Sequence, residues 1–277
     1  MPSGRRLLVV LRSVSVAAPD SALGTRHSAL LEGLLMRVLL ITDIHANLTA
    51  LEAVVADAGP VDVVWCLGDV VGYGPNPNEC CTWVEGHAEI TVVGNHDWAA
   101  LGRLDLDDFN ESARQATLWT VEQLTPHAYQ WLDALPNRFI EGETTLVHGS
   151  PRHPIWEYLL RPAQAAANFE YFDTDICFVG HTHAPAIFQE ELARLGEPGY
   201  VPPYGEPITL SGGRFLVNPG SVGQPRDGDP RAAYAIYEPE TRTIEFRRLA
   251  YDIAKVQGQM REAGLPEPLV VRLARGL

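Results

Sequence analysis

Short, unbroken apolar runs recur along the chain, and several of them end abruptly at a polar residue or a glycine. The first clear run covers residues 38–41 and is followed by Asp43 and His45. Apolar residues then recur at helical spacing over residues 48–55, before a second apolar run at residues 61–67. Because a strand, a helix and a strand in succession usually form a parallel pair, this pattern predicts an α/β fold.

The later segments continue this alternation as far as residue 183 and then become strand-rich. Helices are predicted over residues 48–58, 111–135 with a break near Pro126, 162–172 and 254–263. Further strands are predicted over residues 89–93, 144–147, 175–179, 186–189, 208–210, 214–217, 232–237 and 243–248, many of the last five antiparallel. No repeat or linker interrupts them, which predicts a single domain over residues 36–277.

The first 35 residues do not follow this pattern. Arg5 and Arg6 before an apolar stretch resemble the start of a signal peptide, but Arg12 interrupts that stretch. Met36 stands directly before the first convincing strand. We therefore expect residues 1–35 to be disordered or a mis-annotated extension, with Met36 as the natural start. Export, with a mature start near Ala18, is the alternative.

The composition is that of an ordinary globular protein, with 46% hydrophobic and 20% charged residues. A formal net charge of −14 argues against stable binding to nucleic acid or to an anionic membrane surface, because both need basic surface. No run approaches the roughly 18 apolar residues of a membrane-spanning helix. The four cysteines include no CxxC pair, which favours buried, reduced thiols and a cytoplasmic location.

Five strand ends deliver carboxylate, imidazole or amide groups. These groups are Asp43 with His45, Asp69, Asn95 with His96, His148, and His181 with His183. A lone histidine after a strand is usually structural, but five such turns in one chain indicate a shared site. Because the set contains no thiolate, it suits Mn, Fe, Co, Ni or Zn in a catalytic site and not structural zinc.

These groups outnumber the ligands that one metal needs. We therefore expect two divalent transition metal ions about 3.5–4 Å apart, bridged by one carboxylate and by a water acidified to a hydroxide nucleophile. Mn²⁺ is the first choice, with Fe, Ni, Co or Zn as alternatives.

In this order, the five turns resemble the five motifs of the calcineurin-like metallophosphoesterases. The matching residues are Asp43-Ile44-His45, Gly68-Asp69, Gly94-Asn95-His96-Asp97, His148-Gly149 and Gly180-His181-Thr182-His183. The resemblance covers about residues 36–222 and implies a four-layer α/β/β/α sandwich with the metals at the strand ends. It also implies a first metal on Asp43, His45, Asp69 and His183, and a second on Asp69, Asn95, His148 and His181. By the same resemblance, His96 lies over the scissile phosphate, stabilises its charge and protonates the leaving oxygen.

One departure from these motifs narrows the set of phosphoesterases that the chain resembles. Eukaryotic-type serine/threonine phosphatases and the large symmetrical dinucleoside-tetraphosphatases carry GDxxDRG in the second motif, and here Gly72 and Tyr73 stand in place of its Asp and Arg. The segments GDVVGYGP at residues 68–75 and NPGSVGQPR at residues 218–226 resemble a smaller bacterial branch. That branch includes phosphodiesterases, phosphatases and dinucleoside-polyphosphate hydrolases.

Four residues are weaker candidates for substrate contacts. Arg152 and Arg226 are possible replacements for the missing phosphate-binding arginine, and the turn beginning at Asn218 offers backbone amides to a phosphate. Tyr73, like Trp98, is a candidate for stacking on a nucleobase. Packing around the metal turns, or ordinary surface exposure, is the competing interpretation for each of them.

The leading hypothesis is a two-metal phosphoesterase acting on phosphate mono- or diesters, with a nucleotide-type diester, a dinucleoside polyphosphate or a phosphoprotein as substrate. The expected partner is a small phosphorylated or nucleotide substrate, and the oligomeric state is left open. The alternative is a catalytically silent metal-binding scaffold of the same fold. A hydrolase of nucleic acid is disfavoured by the negative charge, except for short oligonucleotides or cyclic nucleotides.

Overall fold

Two β-sheets pack face to face at the centre of the protein, which a computed structural model describes over residues 35–277. The strands of the first sheet are β1 (Val38–Ile41), β2 (Val63–Cys66), β3 (Ile90–Thr91), β8 (Ile208–Thr209), β10 (Ala232–Glu238) and β11 (Thr243–Leu249). Those of the second sheet are β4 (Arg138–Glu141), β5 (Thr144–Val147), β6 (Ile176–Phe178), β7 (Ala186–Gln189) and β9 (Phe215–Asn218). The strand orders are β3-β2-β1-β10-β11-β8 and β4-β5-β6-β9-β7.

Parallel strands lie together in both sheets. In the first sheet β1, β2 and β3 are parallel, and β10 runs antiparallel to β1 on its other side. In the second sheet β5, β6 and β9 are parallel, and the edge strands β4 and β7 are antiparallel. Four of the five polar turns predicted from the sequence follow β1, β2, β5 and β6, which all belong to these parallel sets. The fifth follows the segment after β3.

Helices cover both outer faces of the pair of sheets. Their bounds are α1 (Leu48–Ala58), α2 (Pro77–His87), α3 (Asn95–Ala100), α4 (Glu111–Gln123), α5 (Pro126–Ala134), α6 (Pro162–Asn168), α7 (Glu190–Arg194), α8 (Ile253–Glu262) and α9 (Glu267–Leu273), with a 3₁₀ turn at Leu106–Asp108. Helices α1, α2 and α5 pack on the first sheet, and α6 and α7 pack on the second. The four-layer α/β/β/α sandwich expected from the sequence is therefore confirmed.

Strand β1 shows how the two sheets share their core. Val38 and Leu40 face the second sheet, whereas Leu39 and Ile41 face the helices of the first layer. All four side chains are buried, because a strand covered on both faces needs apolar residues at every position. The inner core also contains Trp65, whose ring lies 6.3 Å from that of Phe178 on the second sheet.

The helical segment predicted over residues 111–135 is two helices, α4 and α5, separated as expected just before Pro126. Sequence reasoning missed α2, α3, α7, α9 and the strand β4. Helix α2 begins with Pro77 at its first turn, and it buries only Cys80, Cys81 and Val84 besides that proline. So few buried residues give α2 only a weak helical periodicity, which does not distinguish its sequence from that of a polar loop.

The expectation for residues 1–35 concerns a segment that, apart from Leu35, lies outside the described residues. Residues 35–277 form one compact unit. Within that range, no helix is both long enough and apolar enough to cross a membrane.

Candidate metal centre

The polar turns of the two sheets meet at one edge of the sandwich. They bring together seven buried residues that sequence analysis assigned to metal binding: Asp43, His45, Asp69, Asn95, His148, His181 and His183. Backbone hydrogen bonds hold the turns side by side, since Asp43 N donates to Gly68 O at 3.0 Å and Gly180 N donates to His148 O at 2.7 Å. The topology therefore places residues up to 140 positions apart within a single site.

Several of these residues adopt a backbone conformation that side chains other than glycine rarely take. The φ angles are 52° at Asp43, 49° at His45, 52° at Asp69, 66° at His181 and 57° at His183. Left-handed backbone at a non-glycine residue costs on the order of 1–3 kcal/mol, and it persists only where the surrounding structure enforces it. Because this costly backbone conformation recurs in these turns, the direction of their side chains takes precedence over stability.

The first group of ligands consists of Asp43, His45, Asp69 and His183, whose ligand atoms all lie within 4.8 Å of one another. His45 Nδ1 lies 3.2 Å from the carbonyl oxygen of Val71, and His183 Nδ1 lies 2.6 Å from that of Gln224. These contacts assign the ring protons to Nδ1 and leave both Nε2 atoms with lone pairs.

The two Nε2 atoms of His45 and His183 face each other at 3.0 Å. Two lone pairs at that distance repel unless something positive lies between or beside them. The carboxylates do not supply it, because Asp43 Oδ1 and Asp69 Oδ2 are buried acceptors without a hydrogen-bond donor within residues 35–277. Four acceptors that converge without a donor fit a divalent cation.

The second group consists of Asp69, His148 and His181, and it shares Asp69 with the first. Asn95 belongs to it by geometry, since its Oδ1 lies 3.0 Å from His148 Nε2. His148 Nδ1 lies 2.8 Å from Leu67 O. His181 Nε2 lies 3.1 Å from a main-chain carbonyl, so Nδ1 is the nitrogen of that ring left to bind a cation.

The charges of the site favour a cation. Burial by itself would raise the pKa of Asp69, but the rings of His148 and His96 hold it well below its ordinary value. Burial would lower the pKa of His148, yet the Asp69 carboxylate raises it to about 9. Because metal ligation requires the unprotonated imidazole, a divalent cation competes with this proton for the same lone pair.

Residues 36–242 match the family model of the calcineurin-like phosphoesterase superfamily domain. The chain belongs to this superfamily. The crystal structure of a metallophosphoesterase from Sphaerobacter thermophilus is 57% identical, with a TM-score of 0.83 over 88% of this chain and 100% of that one.

Two curated relatives extend this comparison. An uncharacterized protein of Methanocaldococcus jannaschii is 40% identical over 246 residues, which make up 86% of this chain and 98% of the relative. A symmetrical bis(5'-nucleosyl)-tetraphosphatase of Methylobacillus flagellatus is 30% identical over 109 residues, which make up 38% of each chain.

The expected catalytic residue of this phosphoesterase domain, His96, lies beside the ligand groups without belonging to them. Its backbone N–H donates to Asp69 Oδ1 at 2.8 Å, and its ring lies 5.0 Å from that of His45. The side chain is 5% exposed, and Nδ1 has no hydrogen-bond partner in the described part of the chain. Burial, assisted by the charge of Arg226, lowers the pKa of His96 to about 4. The neutral ring still carries one N–H donor.

Two of the four weaker candidates lie at the edge of this centre. The Tyr73 ring is buried between His45 and His96, at centroid distances of 4.7 and 4.2 Å. Arg226 lies over the same ring, with Cζ 5.5 Å from its centroid, and its backbone N–H donates to His183 O at 3.1 Å. Buried in this way, Tyr73 has no free face for a nucleobase, whereas Arg226 is partly exposed next to the candidate ligands.

The other two candidates have structural partners. Asn218 Nδ2 donates to Gly180 O at 2.6 Å and to Thr182 Oγ1 at 3.0 Å, so this side chain shapes the turn that carries two of the histidines. Arg152 pairs with Glu157 through Nε at 3.2 Å and through Nη2. An arginine neutralised in this way has less charge to offer a phosphate.

Sequence reasoning missed the exposed aromatic residues of the site. Tyr158 stacks on His181 with a centroid distance of 3.8 Å, and Trp156 lies 5.2 Å from Phe109, which in turn contacts His96. Trp156 and Tyr158 are 38% and 39% exposed, so both present ring surface to solvent. They lie in an irregular loop between β5 and α6, where no periodic signal exists to single them out.

Proposed function

We propose that this protein is a two-metal phosphoesterase that hydrolyses phosphate mono- or diesters of small, nucleotide-type molecules. One observation carries the proposal: two groups of buried ligands share the single carboxylate Asp69. An arrangement with one common carboxylate fits a pair of cations about 3.5–4 Å apart, and such pairs act on phosphate esters.

The first cation would be held by Asp43, His45, Asp69 and His183, and the second by Asp69, Asn95, His148 and His181. Mn²⁺ is the first choice, since carboxylate, amide and imidazole ligands without a thiolate suit it, and Fe, Ni, Co or Zn are the alternatives. When bound, such cations supply a water acidified to a nucleophile near neutral pH and neutralise charge on the phosphoryl oxygens.

The chain's own residues would orient and stabilise the substrate. His96 would donate its N–H to the phosphate or to the leaving oxygen, and its position beside Asp69 supports this role. Arg226 would attract the phosphate, since its guanidinium lies beside the Tyr73 ring and its backbone is bonded to that of the expected ligand His183. The left-handed turns would hold the ligands in these directions before any substrate arrives.

A nucleotide is the substrate class that the surroundings support. Trp156 and Tyr158 expose ring faces at the rim of the site, and aromatic faces of this kind stack on nucleobases. The partial match to a bis(5'-nucleosyl)-tetraphosphatase is consistent with this choice. All seven expected ligands lie at the centre, so no observation favours the alternative of a catalytically silent metal-binding scaffold.

The four cysteines are all free and buried, which favours the proposed cytoplasmic location.

The test is hydrolysis of bis-p-nitrophenyl phosphate and p-nitrophenyl phosphate by the Mn²⁺-loaded protein. We expect turnover that a chelator abolishes and that Mn²⁺ restores. A panel of cyclic nucleotides, dinucleoside polyphosphates and phosphopeptides would then rank the natural substrate classes. A loaded protein with bound metal and no turnover on any of them would overturn the proposed activity.

A further inference from the structure

Gln224 is a buried glutamine that contacts the candidate metal centre in two ways. Its backbone oxygen lies 2.6 Å from Nδ1 of the candidate ligand His183. Its side-chain Oε1 accepts from Arg226, through Nη2 at 2.8 Å and through Nε at 3.3 Å. The residue is 1% exposed. Gln224 therefore connects a candidate metal ligand to the guanidinium that we expect to attract the phosphate.

The backbone around Gln224 is held independently of its side chain. Gln224 N donates to Ser221 Oγ at 2.9 Å, and this hydroxyl donates to Asp43 O at 2.8 Å. Two residues further on, Arg226 N donates to His183 O at 3.1 Å. Because these bonds use main-chain atoms of Gln224 and Arg226, a change of the Gln224 side chain leaves the course of the segment intact.

The contact with Arg226 determines which way the Gln224 amide points. A guanidinium carries donors only, so the amide oxygen faces Arg226 and the amide nitrogen faces away. Nε2 is buried there without a hydrogen-bond acceptor among residues 35–277. A buried donor in that state costs about 1–3 kcal/mol, which an apolar side chain of the same length would not. The role of this glutamine therefore lies in its oxygen and in the arginine that the oxygen holds.

Arg226 is held by a neutral group, unlike several other arginines of the chain. Arg152, Arg231 and Arg247 each pair with a carboxylate. Within residues 35–277, no Asp or Glu side chain lies at ion-pair distance from the Arg226 guanidinium. Because the Gln224 amide is uncharged, it orients the planar fork of Arg226 without neutralising it.

The charge of Arg226 acts on the centre where a phosphate would react. Burial is the main cause of the lowered pKa of His45, His96 and His183, and in each case the charge of Arg226 lowers that pKa further. The guanidinium lies 5.5 Å from the centroid of the Tyr73 ring, which lies 4.2 Å from the His96 ring. Arg226 is also partly exposed, so an anion can reach it from solvent.

We propose that Gln224 is a positioning residue of the phosphate site: its side-chain oxygen orients the Arg226 guanidinium towards the substrate phosphate and leaves the charge of Arg226 available to that anion. This inference rests on the proposed phosphoesterase function and adds the residue that prepares Arg226 for its role. A carboxylate at this position would hold the same guanidinium but would cancel its charge. An apolar side chain would leave the charge but release the guanidinium.

Gln224→Met tests the positioning role, because it removes the oxygen without adding charge. Binding of inorganic phosphate is measured by titration calorimetry on the Mn²⁺-loaded, full-length protein. We expect affinity about 5- to 10-fold weaker than in the wild type, in line with the loss of a hydrogen bond to a charged group. Thermal unfolding should occur at the wild-type temperature or above, because the unpartnered Nε2 is removed as well. A purely structural glutamine would instead lower the unfolding temperature.

A double-mutant cycle shows whether Gln224 acts through Arg226. In an Arg226→Gln background, Gln224→Met should change phosphate affinity by less than about 2-fold, because the group that it positions is gone. Metal content, measured by elemental analysis, should match the wild type in every variant.

Gln224→Glu tests the charge, because the carboxylate has nearly the shape of the amide. Phosphate affinity should fall by at least about 10-fold, and KM for p-nitrophenyl phosphate should rise by more than kcat falls, since His96 is unchanged. Gln130→Glu adds the same charge at an exposed position of helix α5 and should bind phosphate like the wild type.

Four outcomes would overturn the inference: a wild type that does not bind phosphate, wild-type affinity in Gln224→Met or in Gln224→Glu, an equal loss from Gln224→Met with and without Arg226, or a loss of affinity that follows a loss of metal. The last outcome would mean that Gln224 acts through His183 and not through Arg226. Because phosphate binding is measured without turnover, a failure to hydrolyse any ester counts against the proposed function alone.

Discussion

The carboxylate of Asp69 accepts the backbone N–H of His96 through Oδ1 at 2.8 Å, while its Oδ2 lies 3.3 Å from His148 Nε2 and 3.6 Å from His45 Nε2. One side chain thus connects both ligand groups and also anchors the residue expected to act on the phosphate. Because the bond to His96 uses main-chain atoms, the His96 ring can be removed without releasing Asp69. We therefore expect mutation to separate the proposed metal-binding role from the proposed catalytic role.

Asp69→Asn should cost more metal than any other single substitution at the centre. An amide carries no charge and bridges two cations poorly, so metal content should fall from about two ions per chain to fewer than one. His45→Ala should instead lose about one ion, because the second group keeps its own ligands. Elemental analysis of protein equilibrated with Mn²⁺ measures both. Asp108→Asn, an exposed carboxylate, is the control, and a full metal content in Asp69→Asn would refute the shared carboxylate.

His96→Ala should lower kcat on bis-p-nitrophenyl phosphate by on the order of 10²–10⁴-fold, the range expected for loss of a proton-donating group. Metal content should stay at the wild-type level, because the backbone bond to Asp69 remains. His127→Ala, whose ring is exposed, should leave kcat unchanged. Undiminished turnover in His96→Ala would exclude the assigned role.

Gly94 lies so close to Asp69 that a side chain does not fit. A Cβ at this position would overlap both the carboxylate and the backbone nitrogen of Asp69. Gly94→Ala should therefore destabilise the fold by about 1–3 kcal/mol and reduce metal content. Gly86→Ala is the matched control, since its Cβ meets open space in helix α2, and it should be neutral or stabilising by up to about 1 kcal/mol. Chemical denaturation measures both, and similar behaviour of the two variants would contradict the close approach.

Tyr158→Ala tests whether the exposed rings of the site bind a nucleobase. Loss of one stacking partner should weaken AMP about 10-fold, whereas inorganic phosphate should bind as before. Tyr129→Ala, on helix α5, removes an equally exposed ring away from the centre. Titration calorimetry gives both affinities. A parallel loss for phosphate would mean that Tyr158 positions His181 and does not contact the base.

The clustering of the candidate ligands was predictable from the sequence for a physical reason. Asp43, Asp69 and His148 each follow the end of a largely buried strand, and parallel strands bring their carboxyl ends to one edge of a sheet. The position of each polar residue at its own strand end therefore indicated which distant residues meet in the fold. The four layers were expected from the resemblance to the calcineurin-like metallophosphoesterases, whereas the apolar residues of β1 by themselves predicted only a buried strand of an α/β sheet.

The surroundings of the ligands were not predictable in this way. Helix α9 has seven residues and little periodicity, and only the packing of its Leu273 in one apolar cluster with Tyr73 brings it near the centre. Trp156 and Tyr158 lie in an irregular loop whose course depends on side-chain hydrogen bonds. Arg152, proposed as a phosphate ligand from its position alone, pairs with Glu157, five residues away. Contacts of this kind depend on three-dimensional packing, for which the chain offers no repeating signal.

Glu157 organises the loop that carries the exposed aromatic residues, and this role gives a pH-dependent prediction. Its carboxylate accepts from Ser150 Oγ at 2.6 Å, Asn168 Nδ2 at 3.0 Å and Arg152 Nε at 3.2 Å. Burial would raise the pKa of Glu157, but these donors lower it from 4.5 to about 2. A carboxylate with a lowered folded-state pKa contributes its full stability above the unfolded pKa and loses it as the pH falls towards the folded value.

Glu157→Gln should therefore lower the free energy of unfolding by about 1 kcal/mol near neutral pH, since one charged acceptor is lost at a partly exposed site. The difference from the wild type should stay constant between about pH 6 and 8, and shrink as the pH falls from about 4.5 towards 2. Denaturant titrations at several pH values measure this difference, and Glu170→Gln, an exposed neighbour, should show none. A difference that grows on acidification would mean that the carboxylate does not hold the loop as an anion.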